Sequence, residues 1–228
     1  MKRCSISNDN AQGDEYMLNK EQIGQFGKLP TGNVCDANNK SGNMDFQIKP
    51  IDKKSKLVGP AVTVRCQPGD NLIIHQAIYE AQPGSVIVID AHGYTGAGPM
   101  GEIVVIACQE RGIAGIVVDG TCRDANDIEE LGFPFFCRGF NPGGTVKESW
   151  GTINETIQCG GVVVNPGDII VGDVDGVVVV PKDKAAEVLD KAKAIADKEI
   201  KVREMLRQGK TTLEIYGFDK LIEQKGYK

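Results

Sequence analysis

The stretch from residue 85 to residue 140 constrains the fold of this chain most strongly. Two apolar runs, SVIVID at 85–90 and AGIVVD at 114–119, are followed by a third segment, PFFCRGF at 134–140. Each is short, apolar and bounded by Gly or Pro, the pattern of buried strands. Residues 102–111 between the first two read as a helix ended by Gly112. Residues 124–131 read as a short helix ended by Gly132. Strand, helix, strand, helix, strand with such short links implies a parallel sheet with right-handed crossovers. The loops after residues 90 and 119 then open on one edge of the sheet, where α/β folds place their chemistry.

The flanks are read around that centre. Residues 1–14 are polar and expected to be loose, and 15–26 are expected to form a helix. TGNVCDANNK, starting at Thr31, suggests a second helix with Thr31 as its cap. PAVTVRC at 60–66 reads as a strand, and NLIIHQAIYEA at 71–81 as a helix opened by Asn71 as a cap. GGVVVNPGDIIVGDVDGVVVVP at 160–181 alternates short strands with tight turns, a β-hairpin pattern. Residues 182–228 form a helical arm, mostly one long helix over 182–209. No internal linker is evident, so residues 1–228 are read as a single domain.

Composition excludes several function classes. The net charge is −5, and Lys and Arg do not cluster outside the C-terminal helical region, so no nucleic-acid partner is expected. No apolar run approaches membrane-spanning length. The N-terminal segment lacks the apolar core of a secretory signal. Seven cysteines without a C-x-x-C pattern read as reduced, mostly buried thiols, which places the protein in the cytoplasm. Cys122 beside Arg123 is a weak nucleophile candidate, because only His75 and His92 exist as partner bases.

Arg123-Asp124 follows directly on the strand-like GIVVDG, with Asp127 three residues on and Glu102 one helix-and-strand unit upstream. Arg123 suits a grip on a carboxylate or a developing enolate oxygen. Asp124 suits a hard divalent cation or, equally, a helix cap. Arg123 could instead pair on the surface with Asp127 or Glu130, and Glu102 could be an ordinary first-turn acid. Gly96, Gly98 and Gly101 form a literal G-x-G-x-x-G, but Pro99 and the AHGYT spacer fit a dinucleotide site poorly. The loop better suits a small anion held by N–H groups at a helix start. Glu199 lies on or near the apolar stripe of the long helix, where it either pairs with Arg203 or faces a neighbouring subunit. His75, in an apolar helix, reads as a core histidine, and His92 as a loop residue.

The run GEIVVIACQERGIAGIVVDGTCRDANDIEELGFPFFCRG, with its flanks, resembles the RraA-like family over roughly residues 30–217. That family includes the class II 4-hydroxy-4-methyl-2-oxoglutarate / 4-carboxy-4-hydroxy-2-oxoadipate aldolases. The resemblance implies an α/β/β/α sandwich assembled as trimers or dimers of trimers. It implies that Asp124 binds Mg²⁺ or Mn²⁺ and that Arg123 contacts the keto oxygen and steadies a pyruvate enolate. The backbone of Gly98, Pro99, Met100, Gly101 and Glu102 would hold the substrate carboxylate. Glu102 would orient a water at the metal, and Glu199 would come from the adjacent subunit.

The implied activity is retro-aldol cleavage of a 4-hydroxy-2-oxo acid to pyruvate, with oxaloacetate decarboxylation as a side reaction. The aldolases carry Asp where this chain has Glu102, one methylene longer. Other relatives are non-catalytic regulators of ribonuclease, an alternative that the retained Arg123-Asp124 argues against. An NAD-dependent oxidoreductase resting on the three glycines is the weaker alternative.

Overall fold

The computed structural model describes residues 18–226. The stretch 1–14, Cys4 and the start of the helix expected from residue 15 lie outside the described residues. Helix α1 (Lys20–Phe26) begins at Asn19, whose side chain accepts from the Gln22 N–H while the Gln22 side chain accepts from the Asn19 N–H. Helix α2 (Thr31–Ala37) has Pro30, not Thr31, in its cap position. Thr31 is spent elsewhere: its hydroxyl donates to Asp173 at 2.7 Å and its N–H to the same carboxylate at 3.1 Å.

The chain continues through β1 (Lys49–Pro50), β2 (Leu57–Arg65), α3 (Leu72–Glu80), β3 (Val86–Tyr94), α4 (Glu102–Glu110), β4 (Gly115–Cys122), α5 (Ala125–Glu130), β5 (Phe135–Cys137) and β6 (Gly139–Phe140). Short strands β7 (Thr152–Ile153), β8 (Ile157–Cys159) and β9 (Val162–Val164) precede the hairpin β10 (Ile169–Asp173) and β11 (Gly176–Val180). A 3₁₀ turn over Lys182–Lys184 leads into α6 (Ala185–Arg207), then α7 (Thr212–Tyr216) and α8 (Phe218–Gln224).

The main sheet runs β1-β5-β4-β3-β2-β10-β11. Strands β2, β3, β4 and β5 are parallel, as the central pattern predicts. The hairpin β10–β11 joins the other side of β2 in antiparallel register. The sheet curls until its ends approach: Asn43, ahead of β1, bridges Val178 of β11, and the Lys49 ammonium donates to the Asp175 carbonyl.

Alternation along each strand builds the layers. Ile87 and Ile89 of β3, with Ile116 and Val118 of β4, face the helices α3, α4 and α5. Val86, Val88 and Val117 point the other way, into the curled interior with Ile170, Val177 and Val179 and the β8–β9 hairpin. Ile169, Val171, Val178 and Val180 then face α1, α2 and α6. The result is the expected helix–sheet–sheet–helix order.

Asp173 pins α2 to the β10–β11 turn. It is buried and accepts from Thr31, from the Asp175 N–H and from the Lys56 ammonium. Burial pushes its carboxyl up, but the bonds from Thr31, Asp175 and Lys56 outweigh this and hold it below the usual value of 3.8. Its contribution is therefore complete above that value and is lost as pH falls through the lower folded one. Asp173→Ala is expected to cost about 1–3 kcal/mol at pH 7, because it orphans buried donors. Urea melts should show the gap to wild type narrowing as the pH is taken below 4.

Candidate active site

Asp124 follows the end of β4 with left-handed backbone, φ 57° and ψ 39°. A non-glycine residue adopts this at a cost of about 1 kcal/mol, and Asp is among the side chains that tolerate it. Asp124 occupies the cap position of α5, yet its side chain does not cap that helix. The carboxylate turns to the neighbouring helix instead, where Oδ2 accepts from the Glu102 N–H at 3.2 Å. There it also meets the positive end of α4. Arg123 Nε lies 3.4 Å from the same oxygen, so Arg123 pairs with Asp124 and not with Asp127 or Glu130. The separation of 21 residues between Glu102 and Arg123 is thus closed by the parallel crossover.

The glycine loop leading into α4 is pressed against this pair. A Cβ on Gly98 would lie 2.8 Å from Arg123 N, Cys122 C and Asn141 O. A Cβ on Gly101 would collide with Asp124 Oδ2. Arg123 N donates to Met100 O at 3.0 Å, and Thr121 Oγ1 to Ala97 O at 2.9 Å. Not every loop donor is available to a ligand. Gly98 N is spent on Gly143 O at 2.9 Å, Glu102 N is spent on Asp124, and Pro99 has none. Among the described residues, nothing accepts from the N–H groups of Met100 and Gly101.

Strand β3 runs to Tyr94, four residues beyond the end the apolar pattern marks at residue 90. His92 and Gly93, both at positive φ, make an irregularity after which pairing resumes at Tyr94–Gly120. The strand therefore does reach the glycines. A dinucleotide is still poorly served, because Gly98 closes on the chain's own backbone. Asp119, the acid such a site would place on a ribose, is buried against Arg138 and the Gly160 N–H.

A cleft of about 320 Å³ opens beside the loop. Gly98, Pro99 and Gly101 form one side and Arg123 another. Asn71 and His75 face it from the start and the second turn of α3, and Thr145 and Lys147 close it. Two of these correct the sequence reading. Asn71 occupies the cap position of α3 as expected, but its side chain makes no capping bond; Asp70 accepts from the Leu72 N–H at 2.8 Å. The Asn71 amide instead donates to Pro99 O at 2.8 Å.

His75 is not a core histidine but part of the cleft wall. Burial, then the nearby Lys147 charge, lower its pKa from 6.5, which favours the neutral ring. Helical periodicity does not separate a wall residue from a core residue, so neither was legible beforehand. His92 lines a separate pocket with Asp90, Asp119 and Arg138. Cys122 is fully buried; the Cys137 sulfur 3.8 Å away and burial push its thiol well up, away from the thiolate a nucleophile needs.

The chain is similar to known proteins in sequence and in fold. Residues 31–179 match the RraA-like family model, described as Aldolase/RraA. The chain belongs to the RraA-like family. A Halalkalibacterium halodurans protein named "Putative 4-hydroxy-4-methyl-2-oxoglutarate aldolase" is 47% identical over 75% of this chain and 81% of its own length. An uncharacterized protein of Methanocaldococcus jannaschii is 35% identical over 82% of this chain and 89% of its own. Among solved structures, one titled an unusual member of the RNase ES inhibitor RraA protein family, from Streptomyces coelicolor, superposes with TM-score 0.74 at 31% identity. It covers 82% of this chain and 98% of its own.

Within this RraA-like chain Glu199 does not reach the cleft. It sits on α6, on the far side of the curled sheet, where Oε2 accepts from Arg203 at 2.9 Å and from Asn33 Nδ2 at 3.4 Å. The exposed-pair reading of Glu199 thus describes its place in a single chain. Among the described residues no group of three His, Cys, Asp or Glu forms a ready cation cage. Asp124 offers one carboxylate oxygen, Oδ1, without a protein partner, on a side chain 36% exposed. One such oxygen suits a cation like Mg²⁺, which keeps several waters and takes few protein ligands. Among the described residues no helix is long and apolar enough to cross a membrane.

Proposed function

We propose that this protein is a divalent-metal-dependent lyase that cleaves a 4-hydroxy-2-oxo acid to pyruvate and a second oxo acid, with oxaloacetate decarboxylation as a side activity. The observation that carries this reading is a cleft lined by Arg123 and by the glycine loop with its unspent N–H groups, with Asp124 paired to Arg123 just outside the lining. The described lining of the cleft includes two basic side chains, Arg123 and Lys147, and no acid. Such a lining favours an anionic ligand.

Each group has a role. The N–H groups of Met100 and Gly101 hold the substrate carboxylate at the start of α4. Asp124 would hold Mg²⁺ or Mn²⁺ through Oδ1, and the cation, when bound, supplies Lewis-acid polarisation of the 2-keto group. Glu102, at the first position of α4, and Glu199 from a neighbouring copy direct a water to the 4-hydroxyl, which gives up its proton. The C3–C4 bond then breaks, the 4-oxygen becomes the carbonyl of the released oxo acid, and the electron pair stays on the pyruvyl half as an enolate. Arg123 stabilises the enolate oxygen, and a proton returned to C3 yields pyruvate. Oxaloacetate loses CO₂ through the same enolate.

A homotrimer or dimer of trimers in the cytoplasm completes this reading. It is supported by the helical arm, which leaves Ile200, Tyr216, Phe218 and Leu221 more than two-fifths exposed in a single chain. A second reading, a non-catalytic ring that regulates a ribonuclease, draws on the Streptomyces relative. The deciding assay supplies Mg²⁺ or Mn²⁺ with several 4-hydroxy-2-oxo acids and oxaloacetate and follows pyruvate. Metal-dependent release is expected. Absence of pyruvate from every substrate, with recovery of a ribonuclease on the immobilised protein, would favour the regulator.

A further inference from the structure

Asn71 has one satisfied end and one orphaned end. Its residue is 6% exposed, its Nδ2 donates to Pro99 O at 2.8 Å, and its Oδ1 is buried with no hydrogen-bond partner. The bond to Pro99 sets the amide's orientation, because flipping it would place two oxygens face to face. The orphan is therefore an acceptor. A buried acceptor left alone costs about 1–3 kcal/mol, and native structures keep few of them. This one belongs to a residue of the cleft wall, one turn before His75, and is tied to the same loop that carries the free Met100 and Gly101 N–H groups.

From this we infer that Asn71 is a specificity-determining residue whose Oδ1 accepts the hydrogen bond of a ligand hydroxyl on binding, before that single proton turns to the water that removes it. The inference rests on the substrate class proposed above and sharpens it. In a 4-hydroxy-2-oxo acid dianion the carboxylates and the keto group only accept hydrogen bonds. The hydroxyl is the one group that donates. A wall that presents an acceptor, on a residue anchored to the carboxylate-binding loop, therefore distinguishes the hydroxylated acid from its deoxy counterpart. Sites built to pair a ligand hydroxyl reject the analogue lacking it far more strongly than an apolar wall could. The oxygen is sheltered from bulk water, so the ligand reaches it by a side-chain adjustment in the wall, the tightening common on substrate binding.

The test compares 4-hydroxy-2-oxoglutarate with 2-oxoglutarate, which differ by that hydroxyl. Calorimetry on the full-length, metal-free protein avoids turnover. Wild type is expected to bind the hydroxylated acid at least about tenfold more tightly, and Asn71→Leu to erase the difference. Asn71→Ala, with thermal melts of both variants, guards against a folding defect in one of them. With metal, aldol cleavage should fall at least about tenfold further than oxaloacetate decarboxylation in either variant. Equal binding of both acids by wild type, a preference that survives the substitutions, or parallel loss of both activities would overturn the inference. The last would mark Asn71 as a structural tie to Pro99 or a water site. Failure of the functional reading looks different: wild type then releases no pyruvate from any substrate.

Discussion

Asp124→Asn is expected to lower pyruvate release by about a thousandfold, on the scale of losing one preorganised electrostatic group. The substitution is nearly isosteric. Asn tolerates the left-handed backbone that Asp124 adopts, and its carbonyl oxygen can still accept from the Glu102 N–H. What disappears is the negative charge offered to a hard cation and the partner of Arg123. Fold and charge are thereby separated: the thermal melt of the metal-free variant should move little, while calorimetric Mn²⁺ binding is lost. A variant that keeps its turnover and its cation affinity would remove Asp124 from the site. The remaining Arg123 then has no anion beside it, so binding of simple carboxylates should survive the change.

Gly98→Ala is the second large effect, and it acts through backbone. All three atoms within 2.8 Å of a Cβ at this position are main-chain atoms, those of Arg123, Cys122 and Asn141. No side chain can swing away to relieve them. Overpacking of this kind costs about 1–3 kcal/mol, and the strand end that carries Arg123 must move to accommodate it. A displacement approaching 1 Å at a reacting group costs about a hundredfold in rate. Gly98→Ala should therefore lose activity on that order and also melt earlier. Gly132→Ala is the control. It strains a positive φ of 63° but meets nothing within 4 Å, so it should cost stability alone. Equal activity in the two variants would break the link between the loop and the pair.

The parallel centre was legible because its strands are buried on both faces and read as continuous apolar runs. The joining of Glu102 to Arg123-Asp124 followed from topology alone, before any side chain was placed. Three things were not legible. The extension of β3 to Tyr94 depends on the kink at His92 and Gly93, which no apolar pattern marks. The places of Asn71 and His75 depend on which flank of α3 the loop from 143 to 147 covers, a tertiary fact. Thr31 looked like a cap because Thr commonly is one, yet its hydroxyl is claimed by an aspartate 142 residues away. Local propensity yields where a distant partner offers a stronger bond. Glu199 is a different case, since a residue that completes a neighbour's site has no signature in one chain's own contacts.

The donors proposed for the substrate carboxylate belong to the main chain, at Met100 and Gly101. Genetic drift can therefore rewrite the surrounding side chains without erasing this function, provided the loop keeps its shape. It also hides the function from a conventional alanine scan. Replacing Met100 reports on a thioether packed in the core, and replacing Gly101 reports on a collision with Asp124. Neither reads the N–H itself. Only chemistry that edits the peptide unit, such as an amide-to-ester exchange at these two positions, would expose how much of the grip resides there.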